Sequence, residues 1–77
     1  MELKILGTGC KKCRLLEQHT RQAVEKLGLE ADIEKVEDIA AISEYNILQT
    51  PALVVDGEVR VSGKIPSARD IVKLLSE

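Results

Sequence analysis

The chain reads as an α/β protein with elements in the order β-α-β-α-β-β-α, a four-stranded mixed sheet flanked by three helices. Three observations carry that reading: an alternating run that breaks at Gly7-Thr8-Gly9, a helical stripe from Cys13 to Leu27, and two β-rich runs around Asp56-Gly57. With 77 residues, 44% hydrophobic, 31% charged and a net charge of −2, the chain is apolar enough to fold and short enough for one domain over residues 1–77.

Each element follows from its residues. Glu2-Leu3-Lys4-Ile5-Leu6 alternates polar and apolar positions, as a half-buried strand does, and then runs into the flexible Gly7-Thr8-Gly9 loop. From Cys13 onward, Leu16, Thr20, Ala23, Val24 and Leu27 share one helical stripe, while Arg14, Glu17, Arg21 and Glu25 take the opposite face; Gly28 stops the helix. Leu29 to Val36 is expected as a second, rather acidic strand. Asp38 can cap a short helix through Tyr45, with Ile39, Ala41 and Ile42 as its apolar positions.

After Thr50-Pro51, the runs Ala52-Leu53-Val54-Val55 and Glu58-Val59-Arg60-Val61 flank Asp56-Gly57, residues that tolerate the positive φ angles of a type I′ hairpin turn. Ser67-Ala68-Arg69-Asp70 has the form of a capping box and opens a last helix whose Ile71, Leu74 and Leu75 face inward. The helix between the first two strands implies a right-handed parallel crossover, and the hairpin adds an antiparallel pair.

Composition narrows function before any motif does. One Tyr and no Phe or Trp leave the chain without the stacking groups that single-stranded nucleic-acid binding uses, so a nucleic-acid partner is not expected. No basic-apolar leader and no run of ~18 apolar residues is visible, so neither a membrane partner nor an address other than the cytosol is expected. No long exposed apolar run argues for an obligate dimer, which leaves a monomer as the expectation.

The chemistry sits in Cys10 and Cys13. A bridge across so short a loop stabilises little, and cytosolic thiols are kept reduced, so such a pair is there for reactivity or for a metal. At a helix start the two sulfurs lie one turn apart on one face, close enough to open and close a disulfide. Unpaired helix amides and the positive dipole end favour thiolate over thiol at the first cysteine, and Lys11 and Lys12, with Arg14, are candidates to stabilise it further. Cys10, preceding the helix, is therefore the expected nucleophile, and Cys13, on the buried stripe, the resolving thiol. No cofactor is needed beyond the reversible Cys10-Cys13 disulfide, and no metal is assigned. Thr50-Pro51 belongs at a strand start or edge, where an extended substrate can pair with its backbone.

The stretches Gly7-Thr8-Gly9-Cys10-Lys11-Lys12-Cys13, Gln49-Thr50-Pro51-Ala52-Leu53-Val54-Val55-Asp56-Gly57 and Gly63-Lys64-Ile65-Pro66-Ser67 together resemble the small thioredoxin/glutaredoxin-like redox-active disulfide proteins of archaea and bacteria. The resemblance covers nearly the whole chain. It implies a glutaredoxin-sized thioredoxin fold, with Pro51 as a cis-proline facing the cysteines and the Thr50 backbone pairing with substrate. It also implies a protein disulfide oxidoreductase and electron carrier, with disulfide-containing proteins as substrates and an upstream thioredoxin-reductase-like enzyme as partner.

Departures from that family are visible too. Lys11-Lys12 replaces the dipeptides of thioredoxins and glutaredoxins, no Trp precedes Cys10, Asn46 stands where relatives often have Gly, and Lys4 stands where many thioredoxins carry a buried acid that manages the proton of the second cysteine. Two other functions remain open. Gly7-x-x-Cys10-x-x-Cys13 is also similar to soft-metal (Cu/Zn) binding modules, although Thr8 replaces their usual Met and the Thr50-Pro51 step argues against them. A redox sensor without turnover fits the same residues. Of the remaining candidates, His19 is expected as a half-exposed surface residue and Tyr45 as core filler.

Overall fold

The computed structural model describes residues 1–9, 11–47 and 49–76. Strands β1 (Glu2–Leu6), β2 (Asp32–Val36), β3 (Ala52–Val55) and β4 (Glu58–Ser62) form one sheet in the order β2-β1-β3-β4. Helices α1 (Lys11–Leu27), α2 (Ile39–Ser43) and α3 (Ala68–Leu75) complete the expected β-α-β-α-β-β-α order. β1 pairs with β2 in parallel and with β3 antiparallel, and β3 pairs antiparallel with β4.

Alternation along the central strands divides the core. Leu3, Ile5 and Leu53 face α1 and α3, where they bury with Leu16, Ala23, Ile71 and Leu75. Leu6, Ala52 and Val54 face the other way and bury with Ile42 of α2, with Tyr45 and Val36 packed beside them. On the α1 stripe, Cys13, Leu16, Thr20 and Ala23 are buried. The Thr20 hydroxyl stays satisfied there by donating to the Leu16 carbonyl at 2.7 Å.

Several boundaries differ from expectation for local reasons. α1 begins at Lys11, two residues before the apolar stripe. β2 starts only at Asp32, because the Leu29 amide turns back to the Val24 carbonyl (3.1 Å) as part of the α1 C-terminus. α2 ends at Ser43; Asp38 caps it by accepting from the Ala40 amide at 3.1 Å, and the chain then turns through Asn46 at φ 55°. Asp56 (φ 48°) and Gly57 (φ 85°) form the expected hairpin turn. Ser67 caps α3 by accepting from the Asp70 amide at 3.2 Å.

β4 contains one feature its sequence does not announce. Leu53 pairs with Val61 but Val54 pairs with Val59, so Arg60 is the extra residue of a β-bulge. Val59 and Val61, two apart on one strand, are thereby sent to opposite faces, Val59 to the α2 cluster and Val61 to the α1 cluster.

Candidate functional site

The site gathers where β1 and β2 end, β3 begins and α1 starts. Cys13, in the first turn of α1, is 5% exposed. Its thiol lies directly over Gly7: a Cβ on Gly7 would collide with Cys13 Sγ, lie 3.3 Å from Cys13 Cβ and reach within 3.9 Å of Pro51 Cα. The loop after β1, the first turn of α1 and the entry to β3 therefore meet at one point, and only a residue without a side chain fits between them. The amide of Gly7 donates to the Val36 carbonyl at 3.0 Å, which ties this loop to the end of β2.

Thr50-Pro51 is a cis peptide, Pro51 is buried and Thr50 is exposed. The entry to β3 is held from the β4 side, where the Gly63 amide donates to the Pro51 carbonyl at 2.9 Å and the Ser62 hydroxyl donates to the Gln49 carbonyl at 3.1 Å. Pro51 thus stands at a strand start, as expected, and that strand is internal to the sheet. Lys11 and Lys12 are exposed on the first turn of α1. Cys10, expected as the nucleophile, lies outside the described residues.

Beside Cys13 opens a hollow of about 100 Å³ lined by Ile5, Gly7, Gly9, Cys13, Arg14, Lys35 and Glu37. Glu37 leans over the preceding loop, its Oε1 3.7 Å from where a Cβ on Gly9 would sit. Neither Lys35 nor Glu37 belongs to a local sequence motif. The signal that could have found them is the parallel register: Ile5 pairs with Lys35, so the residue two beyond Lys35 emerges beside the loop that leaves β1.

Lys35 belongs to a second arrangement on this face. Glu17, expected on the solvent face of α1, is half-buried and carries ion pairs to Arg21 (2.9 Å) and Lys35 (3.5 Å). Burial pushes its carboxyl pKa up, but the hydrogen bond from Arg21 and the charges of Lys35 and Arg21 outweigh that and hold it below the ordinary value.

Lys4 takes no part in the hollow. It alternates to the α2 face of β1, where its Nζ donates a long hydrogen bond of 3.5 Å to the Tyr45 hydroxyl. That bond and the Tyr45 charge interaction raise the Lys4 pKa above its ordinary value, with smaller help from Glu34 and Glu2. Tyr45 packs against the α2-side cluster and serves mainly as core. His19 is more than a surface residue: its Nδ1 lies 2.9 Å from the Pro66 carbonyl, and since a carbonyl can only accept, Nδ1 carries the proton in that bond. It pins the segment that follows β4 against α1.

Among the described residues no group of three or more His, Cys, Asp or Glu side chains comes together as a metal site, and no helix is long and apolar enough to cross a membrane.

Comparison with known proteins adds to this geometry. The family model described as "Thioredoxin domain" matches residues 1–76. The chain is 41% identical over 76 residues to a protein named thioredoxin from Methanothermobacter thermautotrophicus, covering 99% of each chain. It is also 41% identical over 69 residues to one of that name from Methanocaldococcus jannaschii, covering 90% of this chain and 79% of the relative.

Proposed function

The chain belongs to the thioredoxin domain family, and from that premise we propose that this thioredoxin-like oxidoreductase reduces protein disulfides through Cys10 and Cys13. The observation that carries the proposal is the convergence of buried Cys13 with Gly7 and Pro51, held together by bonds from β2 and β4.

In the reducing direction the Cys10 thiolate attacks one sulfur of a substrate disulfide. That S–S bond breaks, the departing substrate thiolate takes up a proton, and Cys10 is left in a mixed disulfide. Cys13 then loses its proton and attacks the Cys10 sulfur; the mixed disulfide breaks, the second substrate thiol is released, and the Cys10-Cys13 disulfide remains. Two electrons have passed to substrate, and an upstream thioredoxin-reductase-like enzyme returns them. The backbone of exposed Thr50, at the entry to β3, pairs with the extended substrate segment, and Pro51 lies beside Gly7 and Cys13.

Burial of Cys13 suits a resolving thiol, which must wait for the mixed disulfide and not compete for substrate. Its proton needs an exit. The hollow beside it is large enough for water, and Glu37 is the carboxylate lining it, so Glu37 relays that proton toward solvent while Lys4 is committed to the opposite face. Lys11 and Lys12 stabilise the Cys10 thiolate electrostatically. The whole chain, residues 1–77, works as one cytosolic, monomeric domain, with no cofactor besides the Cys10-Cys13 disulfide and no metal.

Reduction of insulin-type disulfides tests the proposal. Cys10→Ser is expected to abolish turnover, and Cys13→Ser to accumulate covalent mixed disulfides with substrate. Tight Cu(I) uptake that protects both thiols, without any disulfide reduction, would favour the soft-metal function instead.

A further inference from the structure

Several exposed charges of the described residues gather at the two ends of the sheet. β1 and β2 are parallel and β3 antiparallel to β1, so the starts of β1 and β2 and the β3–β4 turn share one end. That end exposes Glu2, Glu30, Asp32, Asp56 and Glu58, against Lys26 and the amino terminus. The opposite end holds the site and exposes Lys11, Lys12 and Arg14 on the first turn of α1 and Lys64 just past Gly63. The exposed acids nearest it are Glu37, which lines the hollow beside Cys13, Asp38, which caps α2, and Asp70, which lines a second hollow with Lys64 and Arg60.

Distance decides which of these charges a partner meets. A five-residue strand spans roughly 16 Å, whereas exposed charges are largely screened beyond about 8–10 Å at physiological salt. A partner docking at Cys10 and Thr50-Pro51 is therefore within reach of the basic collar and out of reach of the acidic end. The chain's net charge of −2 does not describe the first turn of α1, which presents Lys11, Lys12 and Arg14 and no acid. The collar also comes from two separate elements, α1 and the loop after β4, the latter tied to the Pro51 entry by the Gly63 amide.

We propose that this collar selects protein disulfides whose cysteines are flanked by acidic side chains, steering such substrates to the site and holding them while Cys10 attacks. The inference rests on the oxidoreductase reading above and adds the substrate class to it. Complementary charge acts mainly on the association rate and on the choice among partners, and it fades with salt.

Two disulfide peptides, identical except for glutamates or lysines flanking the cysteines, provide the test, with reduction by the full chain followed across NaCl concentrations. The acidic peptide is expected to react about tenfold faster at low salt, with the advantage collapsing near 1 M, where screening reaches about 3 Å. Lys64→Glu, outside the Cys-x-x-Cys segment, should narrow the ratio, and Lys11→Glu with Lys12→Glu should invert it. Because the ratio of two substrates is read, any change in Cys10 reactivity cancels. Equal rates at low salt, a preference for the lysine peptide, or a preference indifferent to salt overturns the inference while leaving the oxidoreductase reading intact. Reduction of neither peptide overturns that reading, and the inference with it.

Discussion

The two ends of the sheet are tied by similar bonds and specified in different ways. At the hairpin end, the Asp56 amide donates to the Glu2 carbonyl and the Glu2 amide to Asp56 Oδ1, each at 2.8 Å, around a turn that two adjacent residues encode. At the site end, Gly7 bonds to Val36 and Gly63 to Pro51, and these bonds join the ends of β1 and β2 and the entry to β3 without a tight turn between them. The turn itself is locally encoded, although its bonds to Glu2 reach across 54 residues. The other end exists only when β1, β2, β3, β4 and α1 are all in register, which is what holding Cys13 against Gly7 beside Pro51 requires.

This contrast predicts how substitutions divide between activity and stability. The largest effect is expected for Gly7→Val, whose side chain must displace Cys13 Sγ. Overpacking of this kind costs about 1–3 kcal/mol, and because the displaced atom is the sulfur proposed to resolve the mixed disulfide, disulfide reduction should fall more than about tenfold in protein that remains folded. Denaturant melts and insulin reduction on the same sample separate the two losses. A variant that loses stability while keeping full specific activity would break the assignment of this end to the chemistry.

Glu37→Gln should come next. Its effect on turnover should stay below the roughly hundredfold of a fully engaged general base, should fall on the resolution step, and should leave the melting temperature near that of the parent; quench-flow analysis of mixed-disulfide decay against pH reads it. The hairpin end should behave in the reverse manner. At Gly57, φ is 85° and no atom lies within 4 Å of an added Cβ, so Gly57→Ala meets backbone strain and no collision. A stability loss of about 1–2 kcal/mol with unchanged disulfide reduction is expected in chemical denaturation and activity assays.

The smallest effect belongs to neither end. The folded-state pKa of Glu17 is held below its unfolded value, so its contribution to stability is present above the unfolded carboxylate value of about 4.3 and is lost as pH falls from there through the folded value. Glu17→Gln should flatten that acid limb slightly in pH-dependent melts and leave the neutral-pH rate unchanged.

The same contrast explains what the sequence disclosed. The hairpin, the Ser67 cap, the α1 stripe and the Thr50-Pro51 step each depend on a few neighbouring residues, and each appeared where local chemistry put it. The Arg60 bulge did not, because Glu58-Val59-Arg60-Val61 alternates well enough for a regular strand, and only the competing demands of the two core faces reveal the extra residue. Glu17 looked solvent-facing by helical spacing, but Lys35 arrives from β2 and draws it inward. Lys35 and Glu37 became visible as part of the hollow only through the pairing of β1 with β2. His19 is the same kind of case, since its partner, the Pro66 carbonyl, lies 47 residues away.

Differential alkylation of the reduced protein at neutral pH, read by mass spectrometry, distinguishes the roles proposed for the two cysteines. Cys13 is 5% exposed behind Gly7, so the account predicts that Cys10 is modified first, and that Cys13 reacts only slowly until the protein is unfolded. Equal and slow modification of both thiols, or earlier modification of Cys13, would contradict it.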